Sequence, residues 1–302
     1  MFKINLFIVL SLVTITILSG SFILDSKIYI SNLNESDNTD IENSDAHDEI
    51  RDDSDENINN LDELINSNSD IYDSSINLVN DNRGIPVLYY HSVNDTVDNE
   101  VTISPKLLKR HLKYIKDQGY ITLSMNEVEN YILNNQPIPE KSILITFDDG
   151  YMDNYYNAYP ILKELNMKAT IFCITSELDG YYYLSEEALK EMSQNNIDIE
   201  SHTVNHLHLN KLTYDEQLKE MSDSKTKLEN ITGKKVTSIA FPFGDYNEYS
   251  VKAAKNAGYN IAFTTNKGFA DRDDNPLELD RIYVNSYYDM NTFISILEQT
   301  KK

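Results

Sequence analysis

The sequence predicts an α/β fold whose parallel strands form a closed or nearly closed, distorted (β/α) barrel of about seven or eight strands. From Ile85 onward, short runs rich in β-branched and aromatic residues alternate with helical segments. Residues 143–145 and 169–174 are apolar throughout, as in strands buried on both faces. The alternation indicates a parallel sheet, and an open doubly wound sheet is the alternative to the barrel.

Each element is predicted from its own pattern. Strands are expected at residues 86–90, 120–123, 142–147, 169–175, 197–201, 236–241, 259–264 and 281–284. Ser104-Pro105 opens a first helix, and further helices are expected at residues 126–133, 155–165, 185–192, 214–231, 247–257 and 290–297. Ser185 is a candidate N-cap, and Thr213 with Glu216 predicts a capping box.

Composition divides the chain into residues 1–30, 31–83 and 84–302. Within the first part, the 21 residues from Ile4 to Leu24 carry no charge, which is long enough to cross the core of a bilayer. The run continues past Ser19-Gly20-Ser21, which favours a membrane anchor over a cleaved signal peptide. In either case we expect the rest of the chain to lie outside the cytoplasm, anchored to the membrane or secreted.

Residues 31–83 hold sixteen acidic residues against two arginines. A segment with few apolar residues and a high net charge cannot offset the entropy of ordering. We therefore predict a disordered, extended linker, with a small acidic folded module as the alternative. The remaining part, residues 84–302, is long enough for one barrel-like catalytic domain.

The overall charge and the cysteine content exclude several classes of protein. The 302-residue chain has a formal net charge of -23, which repels nucleic-acid phosphates. Cys173 is the single cysteine, so a disulfide framework within the chain and a cysteine-rich zinc site are both impossible. We expect no nucleic-acid partner and no organic cofactor.

Two motifs with metal-binding character follow predicted strands. The segment S-I-L-I-T-F-D-D-G ends in Asp148 and Asp149, and adjacent carboxylates at a strand end are costly without a cation. The segment S-H-T-V-N-H holds His202 and His206, which a helical turn would place on one face, as in zinc-binding pairs. An Asp-Asp-Gly turn and two exposed histidines are the alternatives.

Two further motifs also lie at strand ends. In I-A-F-P-F-G, the backbone N–H of Phe243 could face a reacting carbonyl oxygen, with Gly244 allowing close approach. In V-L-Y-Y-H-S, His91 follows an apolar strand. Alone, the first motif is equally compatible with a plain turn and the second with a structural histidine. Active sites of barrels form where strands end, so the shared position of all four motifs favours a site.

Together these motifs resemble the polysaccharide deacetylases, carbohydrate esterase family 4, which share the NodB homology domain. The resemblance covers about residues 85–297. It implies a NodB-like barrel in which Asp148 is the catalytic base and Asp149, His202 and His206 hold the metal. Phe243 stands where the family has a tyrosine and keeps only the backbone N–H role.

Two departures from the common family pattern concern the catalytic residues. No arginine precedes the Pro-Phe pair of the third motif, where Ile239 and Ala240 stand instead, and no histidine follows His208. Both departures resemble a rearranged branch that includes poly-β-1,6-N-acetylglucosamine deacetylases, which implies that His91 is the general acid. Arg281 could then supply the cation for Asp148, and Asp280 is a rival residue that could orient the acid histidine.

The resemblance implies metal-dependent hydrolytic N-deacetylation of N-acetylglucosamine units in an extracellular or cell-wall polysaccharide. One carboxylate and two imidazoles suit zinc, and cobalt, nickel or iron are compatible with the same set. The expected partners are the N-acetylated polysaccharide and the membrane, with a monomeric chain. Two alternatives stay open, a metal-dependent amidase acting on a small molecule or peptide and a non-catalytic surface glycan-binding protein.

Overall fold

The computed structural model describes residues 72–96 and 98–300. The strands are β1 Leu78–Val79, β2 Val87–Tyr90, β3 Ser92–Val93, β4 Thr102–Ile103, β5 Ile121–Thr122, β6 Ile138–Pro139, β7 Ser142–Phe147, β8 Ala169–Cys173, β9 Ile197–Ser201, β10 Ser238–Ala240, β11 Ile261–Lys267 and β12 Leu279–Tyr283. The α-helices are α1 Pro105–Asp117, α2 Met125–Asn134, α3 Tyr159–Leu165, α4 Glu186–Ser193, α5 Tyr214–Thr232, α6 Glu248–Asn256 and α7 Met290–Gln299. None of the helices in these ranges is long and apolar enough to cross a lipid bilayer.

Parallel strands close into a barrel, which confirms the predicted fold class and excludes the open sheet. The order is β2-β12-β11-β10-β9-β8-β7, and β7 pairs again with β2. In this closing pair, Val87 lies opposite Leu144 and Tyr89 lies opposite Thr146. The short strand β5 also pairs in parallel with β7, where Ile121 lies opposite Ser142 and Thr122 opposite Ile143.

Side chains on either face of the strands enter two separate buried clusters. One face packs with helices α1, α3 and α4 and includes Leu88, Ile143, Ile145 and Phe147. The opposite face fills the barrel with Val87, Leu144, Phe172, Phe263 and Leu279, together with Val128 and Tyr131 of α2. Because side chains alternate along a strand, this arrangement buries both faces of each strand and leaves the carboxyl end of the barrel for polar groups.

The predicted helix caps are present. The Ser185 hydroxyl accepts a hydrogen bond from the Ala188 N–H at 3.1 Å and begins α4. Thr213 and Glu216 form the predicted capping box at the start of α5. Such caps satisfy backbone N–H groups that have no partner within the helix.

The last residues of the predicted linker belong to the fold. Strand β1 pairs antiparallel with β6, and the Tyr72 hydroxyl donates to Glu127 Oε1 at 2.5 Å. Arg272 donates to the Asn80 carbonyl oxygen at 3.0 Å. The prediction of disorder is therefore wrong for residues 72–83, because the polar side chains and the backbone of this segment find partners on the domain. The predicted anchor and the rest of the linker lie outside the described residues.

Candidate active site

Asp148 and Arg281 form a buried, two-pronged ion pair at the carboxyl end of the barrel. Asp148 follows β7 directly, whereas Arg281 projects from β12. Arg281 Nη1 lies 2.8 Å from Asp148 Oδ1, and Nη2 lies 2.8 Å from Oδ2. Burial alone would raise the pKa of Asp148, but the charge of Arg281 and, to a lesser degree, that of His202 hold it below its usual value.

The guanidinium of Arg281 is held on several sides. Its Nε donates to the Thr264 carbonyl oxygen at 2.9 Å, and its Cζ lies 4.2 Å from the ring centroid of Tyr89. These contacts fix the planar guanidinium, so that its two terminal nitrogens face a carboxylate in one orientation. The neighbouring Asp280 points elsewhere, since a Cβ added at Gly268 would lie 2.3 Å from Asp280 Oδ2. The structure thus brings Arg281, and not Asp280, to Asp148.

Asp149, His202 and His206 converge on one point. Asp149 Oδ1 lies 3.4 Å from His202 Nε2 and 3.4 Å from His206 Nε2. One ligand atom from each residue falls within 4.8 Å of the others. Asp149 has a left-handed backbone, with φ of 73°, which turns its side chain away from that of Asp148. The two adjacent carboxylates therefore face different partners, Arg281 for Asp148 and the two histidines for Asp149.

The three side chains fit a divalent cation. Ligand bonds of about 2.0–2.1 Å in a tetrahedron place neighbouring ligand atoms roughly 3.4 Å apart, which is the distance from Asp149 Oδ1 to each of the two histidine nitrogens. Asp149 Oδ1 is buried and has no hydrogen-bond partner within the described residues. A buried carboxylate oxygen facing two imidazole nitrogens is the donor set expected of a metal site with open positions.

The two candidate histidine ligands are oriented by their surroundings. The Nδ1–H of His202 donates to the Ala240 carbonyl oxygen at 2.8 Å, which leaves Nε2 facing Asp149. Contacts of this kind fix the tautomer of a metal-binding imidazole. Burial, followed by the nearby His202, lowers the pKa of His206 to about 4 and so favours its neutral, ligating form.

The segment carrying both histidines is a loop, so the predicted helical turn is wrong. Thr203 and His206 have φ values of 67° and 53°, which no helix accommodates. The carboxylate of Glu220, on α5, accepts the N–H groups of Val204 and Asn205 at 3.1 and 2.8 Å. These bonds replace those of a helical turn, and the ring centroids of the two histidines are still only 4.8 Å apart.

His91 follows β2 and is held through its backbone. Asn154 Nδ2 donates to the His91 carbonyl oxygen at 2.8 Å, and Asp153 accepts bonds from the Ser92 hydroxyl and the Val93 N–H. Asn154 begins a π-helical turn, Asn154–Ala158, that leads into α3. Such turns are frequent at functional sites. Sequence reasoning missed Asp153 and Asn154, because a π-turn leaves no periodic signal.

Electrostatic effects on the His91 imidazole oppose each other. Burial lowers the pKa of His91, while the carboxylates of Asp148 and Asp149 raise it. The lowering is the larger effect in the protein alone. His91 Nδ1 is buried without a hydrogen-bond partner in the part of the chain that the structure describes.

Phe243 lies beside the side chains that could hold a metal. The residue is 54% exposed, and its ring centroid lies 4.3 Å from that of His206 and 4.1 Å from that of His208. Phe243 and Gly244 both have left-handed backbones, and a Cβ at Gly244 would lie 1.9 Å from Thr265 Oγ1. Glycine is therefore required at this close approach.

Cys173 packs beneath the Asp-Asp-Gly turn. It is buried, and a Cβ added at Gly150 would lie 3.1 Å from its sulfur. Burial raises the pKa of this thiol, which makes it unreactive. Its role is therefore to pack beneath the turn.

Comparisons with known proteins agree with this geometry. Residues 135–262 match the family model for polysaccharide deacetylase. YxkH of Bacillus subtilis (strain 168), assigned to the polysaccharide deacetylases, is 42% identical over 217 residues, which cover 72% of this chain and 77% of that protein. The poly-beta-1,6-N-acetyl-D-glucosamine N-deacetylase of Staphylococcus aureus (strain N315) is 27% identical over 212 residues, covering 65% and 72%.

A solved structure shares both fold and sequence features. The Streptococcus pyogenes deacetylase PplD in complex with acetate superposes with a TM-score of 0.68 at 33% identity, covering 74% of this chain and all of that one. The chain therefore belongs to the polysaccharide deacetylase family, carbohydrate esterase family 4, with a NodB-like barrel.

Proposed function

We propose that the barrel hydrolyses the N-acetyl group of N-acetylglucosamine units in an extracellular or cell-wall polysaccharide, with a divalent metal ion. The observation that carries this proposal is the pair of adjacent carboxylates with different partners. Asp148 is neutralised by Arg281, while Asp149 faces His202 and His206. One carboxylate is therefore available for proton transfer and the other for holding a cation.

Asp149, His202 and His206 would hold the metal. When bound there, a divalent cation lowers the pKa of water towards about 7 and polarises a carbonyl oxygen. Zinc is our first candidate, and cobalt, nickel and iron suit the same donor set.

Asp148 is proposed to accept a proton from the attacking water. Because its pKa lies below the usual value, it is ionised at neutral pH and ready to do so. Arg281 donates to both carboxylate oxygens of Asp148 and so fixes the orientation of the carboxylate, including the lone pairs that would accept the proton. The backbone N–H of Phe243 is proposed to stabilise the oxyanion that forms from the acetyl carbonyl.

His91 is proposed to protonate the departing sugar amine. Without that proton the amine is a poor leaving group, so a positioned acid contributes about 10²–10⁴-fold to turnover. The bond from Asn154 fixes the backbone of His91 relative to the turn that follows Asp149. The charges of Asp148 and Asp149 favour the protonated imidazole and offset part of the larger effect of burial, which lowers the pKa of His91.

Similarity to the staphylococcal enzyme supports a poly-β-1,6-N-acetylglucosamine substrate. An uncharged run of 21 residues, Ile4 to Leu24, supports a location outside the cytoplasm, at the membrane surface. Cell fractionation with an antibody against the barrel tests this location. Recovery of the chain in the cytoplasm would contradict it.

Acetate release from a panel of polymers tests the activity. Purified protein is incubated with poly-β-1,6-N-acetylglucosamine, peptidoglycan and chitin oligomers, with and without a chelator. We expect acetate from the first polymer, loss of activity with chelator, and recovery with added zinc or cobalt. The Asp148→Asn variant is the matched inactive control. Chelator-resistant activity, or release from none of the polymers, would refute the proposal.

A further inference from the structure

A cluster of tyrosines lies beside the metal-binding aspartate and takes no part in the chemistry proposed above. Tyr151 follows the Asp-Asp-Gly turn, and Tyr181, Tyr182 and Tyr183 precede α4. Tyr151 and Tyr183 stack at 5.2 Å and 17°. Tyr151 is two residues beyond Asp149 in the chain, and a backbone bridge joins it to Tyr183, so the pair lies beside the Asp-Asp-Gly turn.

The loop that carries these tyrosines is rigidly built. Asp179 Oδ1 accepts the backbone N–H groups of Tyr181, Tyr182 and Tyr183 at 2.8, 3.0 and 3.0 Å. One carboxylate oxygen thus fixes three consecutive peptide groups. A binding surface that is ordered before the ligand arrives loses less entropy when the ligand binds.

The same loop is tied to the turn that carries Asp148 and Asp149. The Leu184 N–H donates to the Gly150 carbonyl oxygen at 2.9 Å, and the Met152 N–H donates to the Tyr182 carbonyl oxygen at 2.9 Å. An antiparallel bridge joins Tyr151 and Tyr183 between these bonds. The tyrosine loop and the catalytic turn therefore form one unit.

Tyr182 combines fixed orientation with exposure. Its ring meets Tyr151 and Tyr183 edge to face, with centroids 5.5 and 5.1 Å away. It is nevertheless 61% exposed, and the adjacent Tyr181 is 88% exposed. An exposed tyrosine beside a site offers a flat apolar ring and a polar hydroxyl. Such a side chain suits a ligand that has both apolar and polar surfaces.

The geometry points to a subsite in which Tyr182, flanked by Tyr181, binds a sugar ring next to the residue that is deacetylated. The C–H face of a pyranose packs on an aromatic ring, while its hydroxyls hydrogen-bond to phenol oxygens and water. This inference rests on the proposed function. It adds that the protein binds a polymer through more than one sugar and favours longer chains.

Chain-length kinetics test the subsite. Acetate release is measured on β-1,6-linked N-acetylglucosamine oligomers from dimer to hexamer, and on a small acetyl ester that has no second sugar. For Tyr182→Ala we expect kcat/KM on the hexamer to fall about 3–10-fold, mainly through KM, with the ester unaffected. The double variant Tyr181→Ala/Tyr182→Ala should lose more, and Tyr182→Phe should keep most of the activity.

Tyr156→Ala is the matched control, because Tyr156 is 64% exposed and contacts Tyr155 rather than the tyrosine loop. It should behave like the unaltered protein at every chain length. Equal kinetics for Tyr182→Ala and the unaltered protein on all oligomers would overturn the subsite alone. Equal loss on the ester and the hexamer would also overturn it, by assigning Tyr182 to support of the metal centre. If the unaltered protein releases no acetate from any oligomer, the proposed function fails, and the subsite fails with it.

Discussion

Replacement of Arg281 by methionine should destabilise the barrel in a way that depends on pH. Both members of the Asp148–Arg281 pair are buried, and the two contacts are 2.8 Å each. Methionine fills much of the same volume but leaves the carboxylate without its cation. Removing one partner of a buried ion pair typically costs about 3–5 kcal/mol of the free energy of unfolding.

That cost corresponds to a large change in melting temperature. For a domain of this size, each kcal/mol shifts the melting temperature by about 2–4 °C, so Arg281→Met should melt roughly 6–20 °C lower. Turnover should fall as well, because a carboxyl group that retains its proton at neutral pH cannot act as a base.

The direction of the pH dependence follows from the pKa of Asp148. In the unaltered protein this pKa is lowered, so the ion pair stabilises fully above the unfolded value of about 3.9 and is lost as pH falls through the folded value. In Arg281→Met, burial dominates and raises the pKa of Asp148. The folded variant then holds a proton that the unfolded chain releases above about pH 3.9, so the penalty is present at neutral pH and shrinks as the pH falls towards that value.

Urea unfolding of both proteins at neutral pH and at pH 5 measures the difference. We expect the deficit of Arg281→Met to be smaller at pH 5, and the acid limb of its kcat/KM profile to move to higher pH. Arg272→Met is the control, because Arg272 donates to carbonyl oxygens rather than to a carboxylate. A deficit that does not change with pH would refute the assigned role of Arg281.

Three further substitutions test separate parts of the site. Asp149→Asn should lose bound metal on dialysis, measured by elemental analysis, and unchanged stoichiometry would exclude Asp149 as a ligand. His91→Ala should lower turnover about 10²–10⁴-fold while its metal content matches that of the unaltered protein; undiminished turnover would exclude the acid role. Burial raises the pKa of Glu200 to about 8, so the folded protein holds a proton that the unfolded chain releases above about pH 4.5, and stability should fall from there to about pH 8. Glu200→Gln should flatten that slope in urea titrations, and an unaltered slope would contradict the assignment.

Much of the fold and site could be predicted because parallel strands impose a common geometry. The alternation of short apolar runs and amphipathic segments predicts the barrel, and motifs at strand ends must then meet at its carboxyl end. Asp148, Asp149, His202 and His206 are brought together in this way. Their individual roles stay predictions that the variants above test.

Features that depend on contacts distant in sequence could not be predicted. The loop from His202 to His206 lacks a helical turn because Glu220, on another element, takes its N–H groups. Residues 72–83 resemble a linker in composition, yet strand β1 finds an unpaired edge at β6. Neither partner can be identified from the local sequence pattern. In both cases hydrogen bonds to a residue distant in sequence outweigh the local preference of the segment.

Closure of the barrel is what joins the two halves of the site. The proposed metal ligands follow β7 and β9, whereas His91 and Arg281 come from β2 and β12. In an open sheet that began at β2 and ended at β7, these two pairs of strands would stand far apart. The β2–β7 pairing brings the two pairs of strands together. At the turn after β7, where Asp149 has a left-handed backbone, Asp148 contacts Arg281 and Asp149 faces the two histidines. A substitution that weakens the β2–β7 pairing should therefore affect the ionisation of Asp148 before it affects the positions of His202 and His206.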